Sequence, residues 1–214
     1  GSLASAPASY PADGSLRLLN LFSGPYARAD GLASHLRRLG WADVEQIDND
    51  GEHGGGWRHD LLNDETYSKL LQRAASGAYD AVMIAFPCST FSITRFFDAS
   101  DTSGADRGPP VIRDCDYPDG LPDSQIDARY IRELETSNLL LERTVNVAIA
   151  ARHSAKRATI VVENPADRSV RESPCYSPKL ARHGSLFATT AFKRLRAAAD
   201  LQSGVTFAYC RLGA

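Results

Sequence analysis

The apolar positions of this chain follow two periods. Leu16 to Phe22, Val44 to Ile47, Tyr79 to Phe86 and Thr159 to Val162 are brief apolar runs. They end in Ser23-Gly24-Pro25, Asp48-Asn49-Asp50, Pro87-Cys88 and Glu163-Asn164-Pro165 respectively. Short apolar runs closed by turn-forming or acidic residues are the pattern of strands buried on both faces, as in a parallel sheet. Tyr79 to Phe86 is the most apolar and is expected to be central. Between the runs the spacing turns helical. Leu32, Leu36 and Leu39 mark a helix over 27–39 with Gly40 as its stop. Asp64 to Ala75 reads as a helix capped by Asn63 or Asp64. Ile131, Leu134, Asn138, Leu141, Val145 and Ile149 recur at helical spacing, which predicts a long helix from Ser124 to Ser154. Thr190 to Leu201 is helical, and Val205 to Cys210 is strand-like.

This alternation predicts an α/β fold with a mostly parallel, Rossmann-like sheet and helices on both faces. In such sheets ligands bind beyond the carboxyl ends of the strands, where the uncommon residues of this chain collect. Gly51 to Gly56 is read as a flexible loop. Residues 98–123, rich in Gly, Asp and Pro, are read as a long loop of the kind that serves as a lid or stays disordered. Residues 1–15 are expected to be a flexible leader and 16–214 one domain. The Gly1-Ser2 start and the stop at Gly213-Ala214, directly after a strand-like run, suggest a piece of a longer polypeptide whose sheet is incomplete at the C-terminal end.

Composition narrows the function classes. The chain has 214 residues, 43% hydrophobic and 23% charged, with a formal net charge of -2, which suits one globular domain. That charge argues against an overall basic nucleic-acid binder and leaves room for a local basic groove. The longest apolar stretch, Ala81 to Pro87, is far below the roughly 20 residues of a membrane span. No signal-peptide pattern is visible, so an intracellular protein of nucleus or cytoplasm is expected. Cys88, Cys115, Cys175 and Cys210 have neither metal-site nor disulfide-framework spacing, and the five histidines have no ligand spacing; no metal is expected.

At the strand ends each residue has a plain reading and a functional one. Phe22-Ser23-Gly24 is an ordinary tight turn or a place where backbone approaches a ligand. A full GxGxxG is absent, because Pro25, Tyr26 and Ala27 follow Gly24. Asp48 is a surface turn residue or an acceptor for ribose hydroxyls. Asp60 is a helix-capping residue or an acceptor for an adenine amino group. Cys88 is a small buried hydrophobe or a nucleophile facing the crevice, with Arg95 as a nearby cation favouring the thiolate. Glu163 is a salt-bridge partner or a proton donor to a ring nitrogen. A cysteine nucleophile with a glutamate acid suits covalent attack on a heteroaromatic ring.

Taken together these residues resemble the DNA cytosine-5 methyltransferases, most closely a divergent group found in mobile elements and phages. Leu21-Phe22-Ser23-Gly24 is similar to that family's Phe-x-Gly motif, and Phe86-Pro87-Cys88-Ser89-Thr90-Phe91-Ser92 to its Pro-Cys-Gln-x-Phe-Ser loop. Glu163-Asn164-Pro165 resembles its Glu-Asn-Val motif, and Asp60-Leu61 its Asp-Ile pair. The resemblance implies a class I methyltransferase sheet, S-adenosylmethionine as cofactor with S-adenosylhomocysteine as product, and DNA as partner. It implies that Cys88 and Glu163 are catalytic. Phe22, Ser23, Gly24, Asp48, Asn49, Asp60, Leu61 and Pro87 would hold the cofactor. Ser89, Ser92, Arg95, Asn164 and Arg168 would face the substrate.

The departures define the alternatives. Pro25-Tyr26 replaces the second glycine of the first motif, Ser89 stands where Gln is usual, and Pro165 where Val is usual. The family's arginine motif has only Arg168 and Arg211 as candidates, and no target-recognition domain is recognisable. A catalytically weak or inactive cofactor- or nucleic-acid-binding module, and an enzyme acting on RNA, are the competing readings. Three further features stay open. Trp41 and Trp57 are packing residues or base-stacking platforms. The basic density from Arg152 to Arg182 is solvated surface or a phosphate-contacting flank. Asn138 is a satisfied polar residue or a neighbour of the site.

Overall fold

The computed structural model describes residues 16–26, 28–97, 108–202 and 204–205. The leader, residues 98–107 of the long loop, most of the Val205–Cys210 strand and Arg211 lie outside the described residues. Four strands, β1 (Arg17–Leu21), β2 (Asp43–Ile47), β3 (Ala81–Ala85) and β4 (Thr159–Glu163), form one sheet in the order β2-β1-β3-β4. All three pairings are parallel. The helices are α1 (Leu32–Arg38), α2 (Asp64–Ala75), α3 (Ala128–His153) and α4 (Thr190–Ala199). The fold is α/β and Rossmann-like.

Strand alternation distributes the helices. Leu18 and Val44 point to one face and pack with Ala33, Leu36 and Trp41. Leu19, Leu21, Val82, Ile84 and Ile160 point to the other, into the main core formed with α2, α3 and α4. Trp41 is thus a packing residue, whereas Trp57 is exposed with the Arg58 guanidinium over its ring. No helix of the described residues is long and apolar enough to cross a membrane.

Two helices start later than their spacing predicts. α1 begins at Leu32, because Arg28 and Asp30 pair in a turn ahead of Gly31. α3 begins at Ala128, where the Asp127 carboxylate accepts from the Arg129 N–H; residues 123–125 form a separate 3-10 turn before it. Gly51 to Gly56, read as a flexible loop, carries local turn structure. Two 3-10 turns, Gly51–His53 and Gly56–His59, are joined by Gly54 and Gly55, and a Cβ on Gly55 would sit 1.8 Å from the carbonyl oxygen of Asp48, just beyond β2. Only a residue without a side chain allows that approach.

Candidate functional site

The strand order creates a crevice. After β2 the chain returns past β1 and enters the sheet as β3 on β1's other side, so β1 and β3 are neighbours whose following helices cover opposite faces. Such a switch point opens between the carboxyl ends of the two strands. The residues at those ends are Phe22-Ser23-Gly24 and Pro87-Cys88. Across the gap the Phe22 and Phe86 rings meet edge to face, with centroids 5.4 Å apart.

On the β1 side the backbone turns sharply. Phe22 has φ 60 and Gly24 φ 67, both left-handed, and the Phe22 and Ser23 N–H groups donate to the Ile47 carbonyl at 2.7 and 3.3 Å. A left-handed phenylalanine is uncommon and costs on the order of 1–3 kcal/mol. At Gly24 the space a Cβ would occupy is open. Asp48 joins the turn to β2: one carboxylate oxygen accepts from Gly24 N–H at 2.9 Å, the other from Asp50 N–H at 3.0 Å. Asn49, between them, is exposed.

The Pro25-Tyr26 departure has a visible role. Tyr26 gives its hydroxyl proton to the Gln46 carbonyl at 2.7 Å and receives a short hydrogen bond from His59 Nδ1. Because a carbonyl only accepts, the proton of the second bond belongs to His59. Burial and the nearby Asp48 charge raise the Tyr26 pKa above its ordinary value. The Tyr26–His59 pair therefore seats the 51–59 segment over the β1–β2 ends. Asp60 follows, one carboxylate oxygen accepting from Leu62 N–H at 2.9 Å. Leu61, expected beside the cofactor, has its side chain in the main core and is only 2% exposed. Its carbonyl accepts from Arg143 of α3 at 2.9 Å.

On the β3 side Pro87, Cys88 and Ser89 are exposed. Cys88 caps a 3-10 turn over Ser89–Phe91, its carbonyl accepting from Phe91 N–H at 2.9 Å. Ser92 caps the next turn by accepting from Thr94 N–H. Arg95 departs from expectation. Its side chain is 3% exposed, and its guanidinium donates to the carbonyls of Ser89 (2.7 Å) and Pro110 (2.8 Å) and to Glu133 (2.5 Å). It braces the cysteine loop from beneath and does not face a substrate, because a buried guanidinium must spend its donors on protein acceptors.

Glu163 closes β4 in register with Ala85, so it stands beside the strand that carries Cys88 three residues further on. Its side chain makes no hydrogen bond or ion pair among the described residues. Asn164 donates to the Phe86 carbonyl at 2.7 Å, tying the ends of β3 and β4 together, while its Oδ1 is buried without a partner among the described residues. Arg168 is half-buried; it reaches the Cys175 carbonyl at 3.5 Å, and its Nε is buried without a partner among the described residues.

No family model, no curated protein and no solved structure matches the chain. The site is therefore read from its own geometry.

One cavity borders the cysteine loop and another lies beyond it, beside Phe96. The first, of about 330 Å³, lies between Phe86, Pro87, Ser89 and Thr90 and the α3 face that carries Arg132, Thr136 and Leu140. The other, of about 440 Å³, is bounded by Phe96, Val111, Pro178, Lys179 and Arg182. Within the basic density Lys156 pairs with Asp80, and Arg182 with Asp114 and Asp116. Lys179 stands over the Phe97 ring. Among the described residues no three His, Cys, Asp or Glu side chains gather as a metal site.

Sequence reasoning missed Arg113, which is 1% exposed. It donates to Thr90, Pro118, Ser137 and Asn138 and lies 4.4 Å from the Phe91 ring centre. Burial pushes its pKa down to about 10, so it stays charged at neutral pH. Asn138 is thereby settled as a satisfied polar residue: it accepts from Arg113 and donates to the Asp119 carbonyl. Arg113 lies in an aperiodic stretch, and nothing local in the sequence marks it.

Proposed function

We propose that this chain is an S-adenosylmethionine-dependent methyltransferase that methylates C5 of cytosine in DNA through a covalent Cys88 adduct. One observation carries the reading. An exposed cysteine and a carboxylate unengaged among the described residues stand at the ends of adjacent strands, β3 and β4, beside the switch-point crevice. Neither has a structural task in the fold that would explain its place.

The residues present suit the cofactor. Gly24 leaves open space beside the β1 turn, and Asp48 sets a carboxylate against that turn. Asp48 and Asp60 would take the ribose and adenine ends, with Phe22, Ser23, Asn49 and Pro87 around them. Bound S-adenosylmethionine supplies an electrophilic methyl group and leaves as S-adenosylhomocysteine. The chain's own residues do the rest. Cys88 Sγ forms a bond to C6 of a cytosine turned out of its stack, at a cost of a few kcal/mol. Glu163 places a proton on ring N3, so electron density collects at C5. C5 would then take the methyl group, Glu163 would recover the N3 proton, and transfer of the C5 proton to a solvent base would expel the Cys88 thiolate and restore the ring. Ser89, Ser92 and Asn164 lie along the same edge.

A second reading, a binding module with little or no catalysis, is favoured by one feature: both Asp48 carboxylate oxygens already hold backbone N–H groups. Two measurements decide. Calorimetry with S-adenosylmethionine is expected to show binding that Asp48→Ala weakens by about 1.5–3 kcal/mol, roughly tenfold to a hundredfold. No binding overturns the cofactor assignment. Incubation with cofactor and 5-fluorocytosine DNA is expected to trap an adduct that Cys88→Ala abolishes. Trapping on the matching RNA alone moves the substrate to RNA, and binding without any adduct favours the module.

A further inference from the structure

His183 has no part in the chemistry above, yet it touches both loops that carry it. It is 1% exposed. Its Nε2 lies 2.9 Å from the Phe91 carbonyl oxygen, 92 residues away in sequence. Its Nδ1 lies 3.3 Å from the Arg168 N–H. A carbonyl only accepts and a backbone N–H only donates, so the two partners select one form of the ring: neutral, protonated on Nε2. The Phe96 ring packs against it at 5.7 Å, and its own backbone bridges to Asp114.

Both contacts sit one short step from the reacting groups. Phe91 closes the 3-10 turn that Cys88 opens, so fixing the Phe91 carbonyl fixes the orientation of the Cys88 peptide. Arg168 is five residues beyond Glu163, in a connection with no regular secondary structure of its own. Asn164 ties the strand ends near the sheet; His183 ties the same two loops farther out, on the side of the 440 Å³ cavity that Phe96 and Arg182 line.

We infer that His183 is a positioning residue: one neutral imidazole, donating to the cysteine loop and accepting from the segment after Glu163, sets the spacing of the two proposed catalytic groups. The role rests on the methyltransferase reading, although the clamp itself does not. Catalytic rate is sensitive to such spacing, since a displacement of about 1 Å at a reacting centre can cost on the order of a hundredfold.

Three substitutions separate the two ends of the clamp. The terminal amide of His183→Gln reaches the place of Nε2 and keeps the Phe91 contact, but it leaves nothing at Nδ1. The shorter His183→Asn puts an acceptor at the place of Nδ1 and loses Phe91. His183→Phe keeps the ring packing against Phe96 and loses both bonds. Hydrogen exchange on the whole chain is expected to quicken across residues 164–169 in the first, across 88–92 in the second and across both in the third. Adduct formation on 5-fluorocytosine DNA is expected to fall about a hundredfold in His183→Phe, with smaller losses in the other two. Unchanged exchange at both segments in His183→Phe overturns the clamp. Adduct formation in that variant within about threefold of the parent overturns the positioning role. If the parent chain forms no adduct, the methyltransferase reading falls, and the exchange pattern alone then decides the clamp.

Discussion

Asp114 brings a negative charge into a packed segment, being only 4% exposed. Burial pushes its pKa up, but the Arg182 guanidinium and the N–H groups of Tyr117 and Asp116 outweigh burial and hold it below the ordinary carboxylate range. The native state therefore binds this proton less readily than the unfolded chain. Its stabilisation is complete above the unfolded pKa, near 3.9, and is lost as pH falls through the lower native value. Asp114→Asn keeps the acceptor for the two N–H groups and removes the charge. Urea unfolding should show the variant less stable than the parent at pH 7, with the gap closing as pH falls below about 4. At this scale the place of Cys88 and Glu163 at strand ends was legible because each closes an apolar run. Arg95 was misread. Thr94 beside it is exposed and Phe96 only half-buried, while the acceptors that bury it, Pro110 and Glu133, come from distant parts of the chain.

Helix α2 shows how an element is specified locally. Asn63 accepts from the N–H groups of Glu65 and Thr66 at 3.0 Å each, and acidic residues fill the first turn against the helix dipole. Asn63→Ala should cost about 1 kcal/mol, read as a lower urea midpoint at unchanged slope. The far end of α2 is held to the sheet by Arg73, which grips Glu45 of β2 with two bonds at 2.6 and 2.5 Å. Tyr79 donates to the same carboxylate at 2.5 Å. Burial first, then that carboxylate, pushes the Tyr79 pKa far up. Strand cores were legible to within a residue or two, because apolar runs and turn residues mark them. The start of α3 was not, since residues 123–127 have helix-compatible composition and only the Asp127 cap decides where the helix begins.

At the scale of the molecule, the crevice depends on β3 entering beside β1 on the side away from β2. A ligand that binds only the native state adds stability in proportion to the logarithm of its concentration. S-adenosylmethionine at about 100 times its Kd should add about 2.7 kcal/mol, raising the Tm by roughly 5–10 °C for a domain of this size. Thermal unfolding with and without cofactor checks this. A parent chain whose Tm does not move at millimolar cofactor counts against binding at the switch point.

The amino-acid sequence alone determined which segments become strands and helices and which uncommon residues stand at the strand ends. Hydrophobic period and turn chemistry act over a few residues, so they can be read locally. The tertiary structure decided which strand ends are neighbours, that the glycine-rich segment is wedged on Asp48, and that Arg95, Arg113 and Leu61 are interior. It also decided that His183 joins Phe91 to Arg168. These follow from contacts between residues tens of positions apart, where burial and hydrogen-bond pairing, and not local preference, select the arrangement.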